Sequence, residues 1–411
     1  MAFGDHPCDA ALRSAWHRFC EELKLAGDRV FKPFNPPHPL QRADSFRFLT
    51  QNLGQAFDLA LETRDPAWPQ IHAFCTPTRK LGGDAADLTY RQAWIDGSHR
   101  YVLRGRRGTA RFFNVAVQGE RPEFQPGTGY PSLHEPFGDL PEANVFGHQL
   151  ECSDDGTFEI FVGGERSHPN WLPTTPASRK LFIREGFDRW DETPTTMAIE
   201  RLGMDRPRPL PDPDAMTAAM DWASRFLTGM MRDWPDHPFA YGGGGFDPHT
   251  INAFPPDPPR APGDEKRGRM VAAMTWELAA DEALIVEFPA HDGFWMVTLG
   301  GAFMNSFDFL NRRVSATPSR TAVDDDGMIR LVLCAQDPGI KNWLDTQSFS
   351  RGHLIYRNFL SETVANFTTS TVPVADLMRR LPSSTALCLP DERIAEGLLR
   401  LRAVRQRYQA F

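Results

Sequence analysis

The sequence predicts a β-rich α+β protein of two duplicated, antiparallel β-sandwich-like lobes with flanking helices. The stretch Asp337-Pro338-Gly339-Ile340-Lys341-Asn342-Trp343-Leu344-Asp345-Thr346 has a shortened copy, Ser167-His168-Pro169-Asn170-Trp171-Leu172-Pro173-Thr174, in the first half. Each copy follows the same punctuation, Asp154-Asp155-Gly156 in one half and Asp325-Asp326-Gly327 in the other. Behind each turn the apolar residues alternate with matching parity, Phe158, Ile160 and Val162 answering to Ile329, Leu331 and Leu333. Asp-Gly ahead of such alternation is a hairpin signal, because the turn needs a positive φ that glycine adopts freely. Each copy is therefore expected to be a β-hairpin feeding an Asn-Trp-Leu corner. Trp171 and Trp343 are then equivalent, and both are expected to lie buried under the chain crossing.

The elements follow in order. Asp9 opens a helix whose apolar positions Leu12, Trp16, Phe19, Cys20 and Leu23 recur at three and four residues, up to Gly27. A proline-rich connector leads to a second helix opened by Asp44, carrying Leu49, Leu53, Phe57 and Ala60 on one face and stopped by Asp65-Pro66. Residues 1–84 thus form a helical segment packing on the first lobe. Residues 85–203 form the first β-repeat, with strands predicted over 88–95, 99–104, 110–117, 180–187 and 196–202 and a turn at Asp96-Gly97. The run from Phe112 to Val117 pairs as a copy with the run from Phe294 to Leu299. Residues 204–268 begin with Pro207, Pro209, Pro211 and Pro213, which exclude a helix interior or central strand and mark a linker. A helix capped by Asp214 follows, whose stripe of Met216, Met220, Met230 and Met231 reads as adaptable core packing. An irregular stretch then runs from Trp234 to Gly268. Its run Gly242 to Gly245 reads as a lid over a pocket, since long loops in compact domains serve a function or are disordered. It is no phosphate-binding loop, because no Gly-Lys-Ser or Gly-Lys-Thr follows. The second β-repeat spans 269–378, and in 379–411 Pro390-Asp391 opens a final helix.

At 411 residues the chain exceeds one ordinary core, and the duplication makes two lobes the natural division. A net charge of −8 argues against general affinity for nucleic acid or anionic membrane. The arginines at 400, 402, 405 and 407 read as a solvated helix face. Six cysteines without Cys-x-x-Cys spacing suggest neither a zinc ribbon nor a disulfide framework, and no leader-like or membrane-spanning run appears. A cytoplasmic protein is expected. Thirty Phe against six Tyr mean that most aromatic surface lacks a hydroxyl, so a lined pocket is expected to be strongly apolar.

Several motifs together carry a resemblance: Gly105-Arg106-Arg107-Gly108-Thr109, Asn170-Trp171-Leu172-Pro173, Ile199-Glu200-Arg201, Asp281-Glu282-Ala283-Leu284, Ser306-Phe307-Asp308, and Asp337-Pro338-Gly339 followed by Asn342-Trp343-Leu344-Asp345-Thr346. Over roughly residues 10 to 408 the chain resembles the bacterial domain of unknown function 1214 family, in its two-repeat form. The resemblance implies a β-rich, two-lobed fold with flanking helices and carries no established activity. It also implies an arginine soon after Asp308, where this chain has Phe309-Leu310-Asn311 before Arg312.

Candidate chemistry comes from comparing the copies. After Asn-Trp-Leu the first copy has Pro173 and the second Asp345, a carboxylate beside a large ring. The second lobe is therefore the expected site, with Asp345, Asp308 and His353 as acid and base and Arg357 stabilising developing negative charge. Trp343, Asn342 and Trp295 are the expected substrate contacts. Against this stands a turn-capping role for Asp345 and a packing role for His353. No metal-ligand spacing, Gly-x-Ser-x-Gly elbow or Rossmann glycine pattern occurs, so neither metal nor cofactor is expected. Two functions remain open. One is an enzyme acting on an apolar small molecule, such as a steroid, terpenoid or aromatic catabolite, by acid/base chemistry in an aromatic-lined pocket between the lobes. The other is a non-catalytic protein binding such a ligand or assembling with a protein partner.

Overall fold

The structure, a computed structural model, describes residues 6–119, 139–236, 251–254, 269–359, 361 and 365–409. Near the N-terminus, α1 (Asp9–Asp28) and α2 (Pro39–Phe57) pack with α3 (Pro213–Asp236), which follows the proline linker. The helix α2 starts earlier than Asp44, because Pro39 at its first position has its φ already set for a helix. Asp44 instead lies inside α2, where its carboxylate accepts a hydrogen bond from Asn305 Nδ2 (2.8 Å). Asp212 rather than Asp214 caps α3, its Oδ1 accepting from the Ala215 N–H at 2.8 Å. The methionines Met220, Met230 and Met231 are buried in the helical core with Phe48, Phe303 and Phe226.

The first lobe holds β1 (His72–Cys75), β2 (Leu88–Trp94), β3 (Tyr101–Arg106), β4 (Phe112–Gly119), β5 (Leu140–Phe146), β6 (Thr157–Val162), β7 (Trp171–Leu172), β8 (Ser178–Gly186) and β9 (Thr196–Arg201). The second holds β10 (Arg269–Glu277), β11 (Glu282–Pro289), β12 (Phe294–Gly300), β13 (Ser315–Ala316), β14 (Met328–Cys334), β15 (Trp343–Asp345), β16 (Arg351–Phe359) and β17 (Thr368–Pro373). The sheets run β1-β2-β8-β4-β5 and β7-β6-β3-β9 in one lobe, and β10-β16-β12-β13 and β15-β14-β11-β17 in the other. With β1 set aside, the two strand orders are the same. Each lobe is a sandwich, its inner faces closed by one apolar cluster drawn from both sheets. Among the described residues no helix is long and apolar enough to cross a membrane.

Register makes the duplication residue-specific. In the parallel pair β6/β7, Phe161 lies opposite Trp171 and Val162 opposite Leu172; in β14/β15, Val332 lies opposite Trp343 and Leu333 opposite Leu344. Asn170 clasps Glu151, accepting from its N–H (2.9 Å) and donating to its carbonyl (2.7 Å). Asn342 clasps Ala322 in the same way, at 2.8 and 2.9 Å. Each indole then donates to the carbonyl two residues after the one opposite it, Trp171 to Gly163 and Trp343 to Cys334. Gly156 (φ +84°) and Gly327 (φ +77°) supply the positive φ the turns need. The hairpin expectation needs correcting. Each turn opens its strand, but that strand pairs with one from before the preceding crossover, β6 with β3 and β14 with β11. Trp343 is buried, whereas Trp171 is only half-buried. Leu377, Leu381 and Ile340 complete the cluster around Trp343, and the Arg393 guanidinium covers its ring.

Trp343→Ala is expected to cost about 3–5 kcal/mol in denaturant unfolding, as large-to-small core changes do. Trp171→Ala is expected to cost clearly less, because less of its surface leaves water on folding. Equal losses would contradict the difference in burial.

Candidate functional site

The two lobes and the helices meet at residues 80–87. Gly82 and Gly83 hold positive φ (63° and 70°), and the turn they make lays the chain against the outer face of β16 and β12. Gly83 donates its N–H to Met304 O (2.6 Å), and its carbonyl accepts from Arg357 Nη2. A Cβ at Gly83 would stand 3.2 Å from Met304 and 3.3 Å from Ile355, so only glycine sits there without displacing a neighbour. Asn52 of α2 donates to Lys80 O at 2.9 Å. The N–H of Ala86 donates to Thr298 Oγ1 (3.3 Å), and Asp87 pairs with Arg320 at 2.6 Å.

This crossing carries a polar group that sequence reasoning missed. Ser306 Oγ donates to Asp84 Oδ2 (2.5 Å) and accepts from Lys80 Nζ (2.9 Å), while the Ser306 N–H donates to Asp84 Oδ1 (2.9 Å). Lys80 Nζ also lies 3.4 Å from the centre of the Phe309 ring. Lys80, Asp84 and Ser306 are 4%, 3% and 2% exposed. Burial, which disfavours the ammonium, brings Lys80 down to about 8, with Asp84 and Asp308 opposing it. At neutral pH the lysine is still charged, but one step of proton transfer lies within reach. Burial also raises the Cys75 thiol, with Asp84 adding to the rise and Lys80 and Arg357 opposing it. Ser306 stands in a motif quoted above; Lys80 and Asp84 had no such signal.

The expected site residues lie apart in role. Asp345 accepts the Gln347 N–H (2.7 Å) and pairs with Arg312 (2.9 Å), capping a turn whose Gln347 and Ser348 hold positive φ. The arginine after Asp308 thus serves Asp345. Asp308 caps its own turn through Asn311, at 3.2 and 2.9 Å, and its N–H donates to Gln347 Oε1 (3.0 Å). Gln347 therefore brings Asp308 and Asp345 together as a pair of turn caps. His353 is elsewhere, on the outer face of β16 beside Gly300, with Nδ1–H donating to Gly301 O at 2.9 Å. Burial holds it down to about 3, and Arg357 adds to the effect, so the imidazole stays neutral. Trp295 is inside the second sandwich, stacked with Tyr356. Asn342 and Trp343 are the corner's clasp and anchor. The Gly242 to Gly245 run lies outside the described residues.

Two open clefts lie elsewhere. One of about 1110 Å³ runs between α1 and α3, lined by charged side chains including Asp9, Arg13, Glu21, Asp221 and Arg225. The other, about 610 Å³, lies on the first lobe around Arg104, Cys152, Glu159 and His168. Neither is lined by Lys80, Asp84 or Ser306. Among the described residues no group of three or more His, Cys, Asp or Glu could hold a metal ion.

The family match and a 30% identical solved structure agree with this architecture. The family model described as protein of unknown function (DUF1214) matches residues 86–184 and 263–363, one segment in each lobe. The crystal structure of an uncharacterised protein from Burkholderia cenocepacia is 30% identical, with a TM-score of 0.77 over 89% of this chain and 99% of that one. A protein from Vibrio parahaemolyticus aligns over 85% of this chain and 100% of its own at 12% identity, with a TM-score of 0.43. No curated protein matches.

A neutral His353 has a pH consequence. Its native value of about 3 lies below its ordinary 6.5, so between the two the unfolded chain binds a proton that the native protein does not. Stability is therefore expected to fall as pH drops from 6.5 toward 3, and His353→Gln should flatten that fall in melting temperature. An unchanged slope would show that the native imidazole titrates normally.

Proposed function

We propose that this chain, which belongs to the DUF1214 family of proteins of unknown function, is an enzyme acting on an apolar small molecule by acid/base chemistry between its lobes. In this reading the neutral Lys80 amine takes the substrate's proton, becoming the ammonium, and returns it to the product; Ser306 holds Nζ in place and Asp84 orients the Ser306 hydroxyl and stabilises the ammonium. The residues proposed from sequence, Asp345, Asp308 and His353, are replaced in that role by this trio. The observation that carries the reading is the position of Ser306 Oγ, between Lys80 Nζ at 2.9 Å and Asp84 Oδ2 at 2.5 Å. A lysine lowered to about 8 is suited to such work, since efficient proton transfer needs a group near the working pH. The Phe309 ring against its ammonium gives Lys80 an apolar neighbour.

A second reading, a binding or assembly protein without catalysis, also has an observation behind it. All three groups are less than 5% exposed and line neither described cleft. Buried and satisfied, they serve equally as a structural lock.

Solvent-deuterium exchange into a panel of apolar ketones, followed by mass spectrometry, separates the two. The enzyme reading expects exchange that rises through about pH 8, as Lys80 loses its proton, and falls at least tenfold in folded Lys80→Met and Ser306→Ala proteins. Exchange unaffected by either substitution would remove the trio from catalysis, and no exchange across the panel would favour the second reading.

A further inference from the structure

The last helix, α4 (Pro390–Gln409), has two faces of opposite character. One is docked on the second lobe. Arg393 donates to Ile340 O (2.6 Å), Glu396 pairs with Arg313, Arg400 donates to Asn311 O (3.0 Å), and Ala403, Val404 and Arg407 are buried. Arg400 and Arg407 thus leave the solvated arginine face expected from sequence. The opposite face carries Asp391, Ile394, Leu398, Arg402 and Arg405, spaced by three and four residues along one stripe. Ile394 is 62% and Leu398 49% exposed, and Leu387 and Leu389, just ahead of the helix, are more than half exposed. Single exposed leucines need no explanation, but a helical stripe of them between charges of opposite sign marks an interaction surface.

We propose that this stripe binds a second copy of the chain, with the two α4 helices antiparallel about a two-fold axis at Leu398. The charge order is the argument. Asp391 and Arg405 each stand seven residues from Leu398, about 10 Å along the axis in opposite directions. Antiparallel pairing sets Leu398 against its own copy and Ile394 against Leu398 and the aliphatic stem of Arg402. It also places Asp391 beside Arg405 of the second copy, twice per dimer. Parallel pairing would instead bring like charges together. The stripe is therefore complementary to itself in one orientation, which is what an isologous interface requires. An unrelated partner would need no such internal match.

Sedimentation velocity of the full chain over a wide concentration range tests this. The wild type is expected to dimerise reversibly, and Leu398→Asp to leave only monomer. Asp391→Arg and Arg405→Asp alone should each weaken dimerisation about tenfold, since the axis counts every lost pair twice. The double exchange Asp391→Arg with Arg405→Asp should restore the affinity to within about threefold of wild type, because the pairs re-form with signs reversed. All these side chains are exposed, so circular dichroism spectra should not change. A wild type that stays monomeric, a dimer indifferent to Leu398→Asp, or a double exchange no better than the singles would overturn the proposal.

Discussion

A lysine and a carboxylate placed where water cannot reach must be satisfied by the protein, and the crossing at residues 80–87 is built around that constraint. Lys80 and Asp84 lie on one short segment, with their carboxylate and ammonium 4.0 Å apart, and Ser306 from the second lobe bonds to both. The segment thereby ties three bodies together: α2 through Asn52, the second lobe through Ser306 and Thr298, and the first lobe through Asp87, whose carbonyl accepts from Phe187. Losing one partner of such a group leaves a buried charge unpaired, which costs far more than the intact pair contributes. An aromatic contact between the lobes, Phe112 on Phe359 at 4.6 Å, falls in the same apolar cluster as Ala85 of this crossing.

The duplication lets equivalent positions of the two lobes be compared residue by residue. Strand register aligns Lys180 with His353, Arg184 with Arg357 and Gly186 with Phe359. In the first lobe the lysine is ion-paired with Asp139; in the second the same position holds a neutral histidine under Gly301. Gly186 leaves room for Phe294 to reach across, while Phe359 fills the gap from the other side. The corners are the reverse case. Their asparagine clasps and indole hydrogen bonds are the same in both copies, because the constraint there is local to each sandwich.

Local signals explain what the sequence revealed. Alternation with matched parity makes the β6 and β14 copies legible, and helical periodicity locates α1 and α3, and Pro390-Asp391 the start of α4, to within a few residues. The acidic Asp44 points to a later start for α2 than the structure has, because a proline at the first position outweighs it. The short edge strand β1 escapes a reading by periodicity, since four residues carry too little pattern. The candidate site was less legible still. Lys80 and Ser306 are 226 residues apart, and nothing in spacing shows that a Gly-Gly turn brings them together. Asp345 stood out by comparison with Pro173, yet the carboxylate holds a turn with positive φ at Gln347 and Ser348, a backbone need that side-chain comparison does not reveal.

The most direct test of the crossing's role is a double-mutant cycle between Asp84 and Ser306, read as denaturant unfolding of Asp84→Ala, Ser306→Ala and the pair. If the two side chains satisfy each other across the lobes, the double mutant should be more stable than the sum of the single losses by about 0.5–3 kcal/mol. Losses that add to within about 0.5 kcal/mol would contradict it, and the crossing would then be held by its other contacts.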